Sequence, residues 1–397
     1  MGVTQHEHSV DTIREITNVM LLRGNIGRPG AGVCPVRGHS NVQGDRTVGI
    51  NEKAPAALLD RMEHVLGVPM PRVPGHNVLQ AIGAMLAGEA KAFVGLGGNF
   101  VRAVLDTQLV AEAMAKLDLT VHVATKLNRT HLSPGKLSFV LPCLGRTEID
   151  RNSKGIRQLV TVEDSMSMVH GSGGINMPAS PELKSEVKII AGIARETVGS
   201  AALDWDDYAD DTAKIHDLIA EVLPLFGAYN DKLHQPGGFR LRNTARERIW
   251  NTPTARARFA APPLPGATDW QRVQGRAQSF VLQTLRSHDQ YNTTVYGHAD
   301  RYGGIKGERD VVFVHPQDIR DLGAVAGDRV DLIGAEEDGV ERRARGFKLI
   351  AYDIPRGCLA GYYPELNVLV PHTSYGAGSY TPTSKSIAVR VQLADND

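Results

Sequence analysis

Cysteine is scarce in this chain: three in 397 residues, Cys34, Cys143 and Cys358, widely spaced and odd in number. No disulfide framework or two-cysteine metal clamp can be read from them, and the scarcity favours a reducing compartment. An excess of charge is also lacking, since 44 Lys+Arg balance 44 Asp+Glu. A phosphate-backbone binder carries net basic charge, so no nucleic-acid partner is expected and a small molecule is. Nothing approaches the ~18 uninterrupted apolar residues of a membrane span, and the start "MGVTQHEHSV" has no basic segment leading into an apolar core. A soluble, cytoplasmic protein without membrane insertion is expected. G-x-S-x-G, H-E-x-x-H, Walker A and EF-hand patterns are missing, which leaves hydrolase and kinase readings without a foothold.

What is present is a chain longer than the ~250–300 residues at which single cores stop growing, so more than one domain is expected. The spacing of Ile13, Ile16, Met20 and Leu21 predicts a half-buried helix from Ser9 to about Gly24. "GAGVCPVRGHSNVQGDRTVGI" (30–50) then shows neither helical nor strand period. "HNVLQAIGAMLAGEA", "KAFVGLGGNF", "AVLDTQLVAEAMAKL" and "DLTVHVAT" alternate helix and strand, as αβαβ units of a parallel sheet do. One convincing helix, "AKIHDLIAEVLPLF", stands out between 150 and 270, and "APPLPGATDW" reads as a linker. The runs "DVVFVHP", "DRVDLIG", "GFKLIAY" and "SIAVRVQL" predict a compact β-barrel.

Ligands in parallel sheets sit beyond the carboxyl ends of the strands. There "GLGGNF" places Gly97, Gly98 and Asn99 at a strand-to-helix turn whose free N–H groups could cradle a phosphate, although a plain tight turn reads equally well. Phe100 stands at the third glycine of the dinucleotide fingerprint, and the next strand ends in Thr125 and Lys126 without a ribose-binding acid, which disfavours an ordinary NAD site. Lys126, Asn128, Arg129, Thr130 and His131 form a donor cluster on the same sheet edge, able to share an anionic ligand with the glycines, or else a solvated polar loop. "LRSHDQYNTTVYGHADRYGG" opens the β domain with Arg286, His288, Gln290, Asn292 and Thr293. Its amide-rich composition fits a large polar ligand better than a metal. "YYPELNVLVP" and "TPTSKSIAV" add Asn367 and Lys385.

Taken in order, these segments resemble the C-terminal half of the molybdenum oxidoreductases that carry two molybdopterin guanine dinucleotides (the DMSO-reductase type), most closely formate-dehydrogenase-like alpha subunits. The 2–50 segment is the most specific, and the resemblance covers essentially the whole chain. It implies a Rossmann-like domain followed by a six-stranded, double-psi-like β-barrel. The implied divisions are a linking helix and active-site loop at 1–50, a cofactor-binding α/β domain at 51–160, a connecting region at 161–270 and the dinucleotide-binding barrel at 271–397.

The resemblance implies a bis(molybdopterin guanine dinucleotide) molybdenum cofactor and two-electron redox of a small anionic substrate. Family members are about twice this long. The half not represented here would hold the molybdenum ligand and, where the family has one, the 4Fe–4S cluster, so no metal ligand is expected in this chain. A non-catalytic cofactor-binding or assembly fragment is the alternative.

By the same resemblance Arg37 of "PVRG" lies beside the metal, where a guanidinium can hold an anion. Formate dehydrogenases usually carry glutamine two residues later; this chain has His39, a group able to accept a proton near neutral pH. Asn41, Gln43 and Asp45 would line the same crevice, with Cys34 a buried small hydrophobe. Gly97, Gly98, Asn99, Lys126, Asn128, Arg129 and Thr130 would hold one dinucleotide arm. Arg286, His288, Gln290, Asn292, Thr293, Asn367 and Lys385 would meet the cofactor from the barrel.

Overall fold

The structure, a computed structural model, describes residues 2–36, 39, 41–264, 266, 271, 279–293, 295, 297–335 and 338–394. Helices α1 (Ser9–Leu22), α2 (Val42–Thr47) and α3 (Ala56–Leu66) lead into α4 (Val78–Leu86). Asn77 starts α4 with a reciprocal cap: its side chain accepts the N–H groups of Leu79 and Gln80, and the Gln80 amide oxygen accepts the N–H of Asn77. The apolar stripe that follows buries Ile82 and Met85.

Strand β1 (Ala92–Leu96) breaks at Gly97-Gly98 into α5 (Phe100–Ala103) and α6 (Thr107–Ala115), followed by β2 (Leu119–Ala124) and β3 (Leu137–Pro142). The three strands are parallel in the order β1-β2-β3. Parallel strands share one direction, so the turn after β1 and the loop after β2 emerge at the same edge; the Gly97 N–H donates to the Val123 carbonyl at 2.7 Å.

A small antiparallel sheet, β4 (Val160–Glu163), β5 (Met168–Ser172) and β6 (Phe239–Arg240), is accompanied by α7 (Glu186–Val198), α8 (Trp205–Asp210), α9 (Thr212–Val222) and α10 (Tyr229–Leu233). The barrel comprises β7 (Ser279–Leu285), β8 (Val311–Val314), β9 (Arg329–Gly334), β10 (Arg343–Ala351), β11 (Cys358–Tyr362) and β12 (Ile387–Leu393), with α11 (Pro316–Asp321) after β8. It closes in the order β10-β8-β11-β7-β12-β9, with parallel and antiparallel pairs mixed. This is the expected class, an α/β sheet followed by a six-stranded barrel.

One apolar core runs through both parts, joining Ile82, Val110 and Met114 of the α/β helices to Leu282, Leu332, Leu359 and Val389 of the barrel. Three polar contacts lock the junction. The Arg342 guanidinium meets Asp106 at 3.0 Å, both largely buried. The Asn367 amide donates to the Arg102 carbonyl at 2.7 Å, and the Tyr363 hydroxyl to the Ala103 carbonyl at 3.2 Å.

Three local expectations are corrected. Residues 42–47 of the aperiodic stretch form α2. In α1, Ile13 and Ile16 are 41% exposed while Ser9 and Asn18 are buried, because Asn18 exchanges hydrogen bonds with the Ala260 backbone. The 150–270 region holds α7 as well as α9; Val187, Ile190, Ala191 and Ala194 do repeat at helical spacing there. The linker "APPLPGATDW" lies partly outside the described residues, and its described part carries no regular structure.

Candidate functional site: a cationic cavity at the sheet edge

Beyond the carboxyl ends of β1 and β2 lies a cavity of about 340 Å³. Its floor is Gly97, Gly98 and Asn99; one wall is the loop Ala124 to Arg129, and Thr293 of the barrel closes it. Gly97 and Gly98 have φ of +64° and +75°, a conformation that side chains disfavour, and a Cβ on either would project into open space. The backbone is therefore exposed to whatever fills the cavity. Lys126 and Arg129 are exposed cations of the wall, and no carboxylate lines it among the described residues. That composition suits an anion with an extended polar body.

The loops are held by short internal bonds. Asn128 accepts the Thr130 N–H at 3.0 Å and donates to the Gly98 carbonyl at 2.7 Å, which ties the two loops together. Thr130 is buried; its hydroxyl donates to Asn99 at 3.0 Å and accepts the Val101 N–H at 3.1 Å. His131 accepts the Asn128 N–H at Nδ1, and burial lowers its pKa, as it does for the neighbouring His122. Both rings are thereby favoured as neutral.

The barrel's opening loop meets the 30–50 segment. The His39 ring lies between Tyr291 Oη, 3.1 Å from Nδ1, and Asn292 Nδ2, 2.8 Å from Nε2. An amide nitrogen can only donate, so the bonding assigns the lone pair to Nε2 and the proton to Nδ1. Beneath this loop Arg309, 4% exposed, pairs with Glu365 at 2.8 Å and donates to Ser287, Gln290 and the Tyr363 carbonyl. Nothing in the sequence around "GERDVV" marks Arg309 as the anchor.

Arg286 and Lys385 form a second cationic cluster where β7 and β12 run side by side. The Arg286 guanidinium stacks 3.6 Å from the Tyr363 ring centroid, and its Nη2 is buried without a hydrogen-bond partner. Burial and then the Arg286 charge push Lys385 down to about 8; burial also lowers the pKa of Arg286. The Lys385 ammonium donates to the Thr284 carbonyl. Neither cation has a carboxylate partner among the described residues. Two like charges and an unpaired donor make a cluster suited to an anion.

Of the residues expected at the site, Gly97, Gly98, Asn99, Lys126, Asn128, Arg129 and Thr293 share the cavity. Thr130, Gln290 and Asn367 do not present free donors: Thr130 and Asn367 are committed to the protein bonds above and the Gln290 amide donates to the Asn292 and Tyr363 carbonyls, both at 2.7 Å, so they position the loops. His288 stacks on Tyr302 with 4.2 Å between ring centroids and stands outside the cavity lining. Arg37 lies outside the described residues. Asn41 ties α2 to β4 by accepting the Glu163 N–H, and neither it, Gln43 nor Asp45 lines this cavity. Cys34 is exposed, contrary to expectation, because residues 28–34 pack against little. Cys143 is buried, its thiol pushed up to about 11 by burial and then by Glu186 and Glu148, an inert side chain. No group of three or more metal-ligating side chains occurs among the described residues, and no described helix is long and apolar enough to cross a membrane.

A glycine turn and a cationic loop at the edge of a parallel sheet thus face a loop of a six-stranded β-barrel. Residues 280–388 match the family described as the molydopterin dinucleotide binding domain. The chain is 51% identical over 399 residues to an uncharacterized oxidoreductase of Mycobacterium tuberculosis (strain ATCC 25618 / H37Rv), covering 99% of this chain and 50% of that protein. It is 33% identical over 142 residues to a putative formate dehydrogenase of Bacillus subtilis (strain 168), covering 33% of this chain and 14% of that one. Acetylene hydratase from Pelobacter acetylenicus shares the fold, with a TM-score of 0.59 at 14% identity over 85% of this chain and 50% of that chain. The chain spans about half the length of the curated relatives it matches over its whole extent. Its C-terminal region thus carries a molydopterin dinucleotide binding domain, and relatives that it matches over 99% of its length are described as oxidoreductases.

Proposed function

We propose that this chain is the cofactor-holding part of a molybdopterin oxidoreductase, formate-dehydrogenase-like, that carries a bis(molybdopterin guanine dinucleotide) molybdenum centre and acts on a small anionic substrate. The observation that carries the reading is the cavity in which Gly97, Gly98, Lys126 and Arg129 converge with Thr293 of the barrel. The residues present fit such a group: exposed backbone, two cations, no carboxylate among the described lining residues, and elsewhere on the barrel an orphaned Arg286 nitrogen beside a pKa-depressed Lys385.

When bound, the molybdenum cofactor supplies the two-electron chemistry, while the protein supplies binding, orientation and electrostatics. With the Gly97 N–H spent on the Val123 carbonyl, the Gly98 N–H would approach the phosphates closely because no side chain intervenes, and Lys126 and Arg129 would neutralise them. Arg286 and Lys385 would hold a second anionic part of the cofactor. Arg37 holds the substrate anion. His39 keeps its proton on Nδ1 and offers Nε2 as a proton acceptor once Asn292 releases it. His39 stands where formate dehydrogenases carry glutamine, so the substrate is read as a small anion without singling out formate.

A second reading follows from the chain's length: a fragment that holds cofactor and acquires turnover only beside the other half of the relatives' sequence. One experiment separates the readings. The chain is produced in a molybdenum-replete host and assayed for molybdenum and for dye-linked formate oxidation and oxyanion reduction. Turnover with bound molybdenum supports the first reading, bound pterin without turnover the second, and absence of both pterin and molybdenum contradicts the two together.

A further inference from the structure

A parallel sheet is ordinarily covered by helices on both faces. Here the register aligns Val94 with Val121 and Phe139, and Ala92 with Leu119 and Leu137, so these apolar residues share one face. On the other face Thr120 and His122 are buried. The first face is largely open: Val94 is 46%, Leu137 54% and Phe139 49% exposed, Leu119, Val121 and Leu141 are half-buried, and Val123 at its end is buried. Apolar surface left uncovered in a contiguous group marks an interaction site in a soluble protein.

A groove of about 430 Å³ opens at the rim of the same face, where Leu96, 50% exposed at the end of β1, meets Val187 and Ile190 of α7, Trp205 of α8 and Leu218 of α9. Among the described residues Glu186 is its only charged lining residue. The face and the groove form one apolar surface continued through Leu96. It resembles a domain core cut in half, the character of obligate interfaces.

The relatives show what is available to cover it. This chain matches them along 99% of its own length and half of theirs, so each carries as much sequence again that this chain does not represent. We propose that the open face of β1–β3 and the groove at Leu96 seat that other half of the polypeptide, joined to this chain or supplied as a separate one. The seat is an obligate interface made before any cofactor binds. This inference goes beyond the proposed function and holds or fails independently of the cofactor's identity.

The test is co-expression of this chain, tagged, with the unmatched half of the M. tuberculosis relative, followed by co-purification without any cofactor assay. The two are expected to emerge in equal amounts. Val94→Asp with Phe139→Asp, or Ile190→Asp, should reduce recovery of the partner at least tenfold, and Val325→Asp, on an exposed barrel position, should leave it unchanged.

A second measurement guards against an insoluble partner. In a chimera carrying this chain in place of the relative's matching half, Val94→Cys and Phe139→Cys are labelled and followed by peptide mass. Labelling at least tenfold slower than in the isolated chain supports the interface. Equal labelling rates, partner recovery unaffected by the face substitutions, or a homodimer of this chain that the double substitution dissolves would each overturn it.

Discussion

His39 Nε2 stands 2.8 Å from Asn292 Nδ2, although 253 residues separate them in the chain. The glycine-rich 30–50 segment is thus docked on the opening loop of the barrel, and Tyr291 completes the clasp. Asn292 adopts φ +44°, a conformation that asparagine tolerates better than most side chains. Asn292→Ala removes the bond and adds backbone strain, with an expected loss of about 1 kcal/mol. Hydrogen exchange around residues 30–36 should accelerate while the barrel core stays protected; unchanged exchange would show the clasp to be idle.

The junction between sheet and barrel rests on a buried ion pair. Removing one partner leaves the other charge buried and uncompensated, which costs about 3–5 kcal/mol. Arg342→Ala should therefore lower chemical-denaturation stability by that amount, and the double variant with Asp106→Ala should recover part of it. Strict additivity of the two losses would mean the pair does not couple the two parts.

Arg309 makes the corresponding prediction inside the barrel. Its guanidinium joins Glu365, Ser287, Gln290 and the Tyr363 carbonyl. Arg309→Ala should destabilise the fold by about 3–5 kcal/mol and expose residues 287–293 to protease before the rest of the barrel. Lysine at the same position keeps the charge but lacks the fork, so it should restore stability only in part.

Lys385 gives a pH dependence of definite sign. Its folded-state pKa is about 8, below the ordinary 10.5. Below about pH 8 both folded and unfolded chains hold the proton, and the folded state bears the full burial penalty. Between 8 and 10.5 the unfolded chain binds more protons, so this group makes stability rise with pH. An anion facing the ammonium raises its pKa again. Pyrophosphate affinity should therefore fall between pH 7.5 and 9.5, by up to tenfold per unit, and Lys385→Met should flatten that fall. Affinity in the native chain that does not change with pH would remove Lys385 from the site.

Much of this arrangement was legible in the sequence. The α/β alternation from 75 to 145 and four of the six barrel strands follow from hydrophobic period alone. The parallel topology then requires "GLGG" and "TKLNR" to share an edge. β7 and β11 were not legible as strands: "CLAGY" is short and glycine-bearing, and "SFVLQTL" follows polar sequence. Burial partners were illegible too. α1 turns Ile13 and Ile16 outward because Asn18 finds backbone partners in a segment 242 residues away. The composition of Thr130, Gln290 and Asn367 announces polar contact but not its recipient, which proved to be the protein's own backbone and side chains.

The central claim is that Lys126 and Arg129, facing the glycine turn, bind the phosphates of a pterin dinucleotide. The most direct measurement is the pterin released from this chain after production in a molybdenum-replete host, quantified by fluorescence and mass against Lys126→Glu with Arg129→Glu. A pterin dinucleotide that accompanies the native chain and falls at least tenfold in the charge-reversed one is the predicted result. Pterin absent from the native chain, or retained in full after the charge reversal, would contradict it.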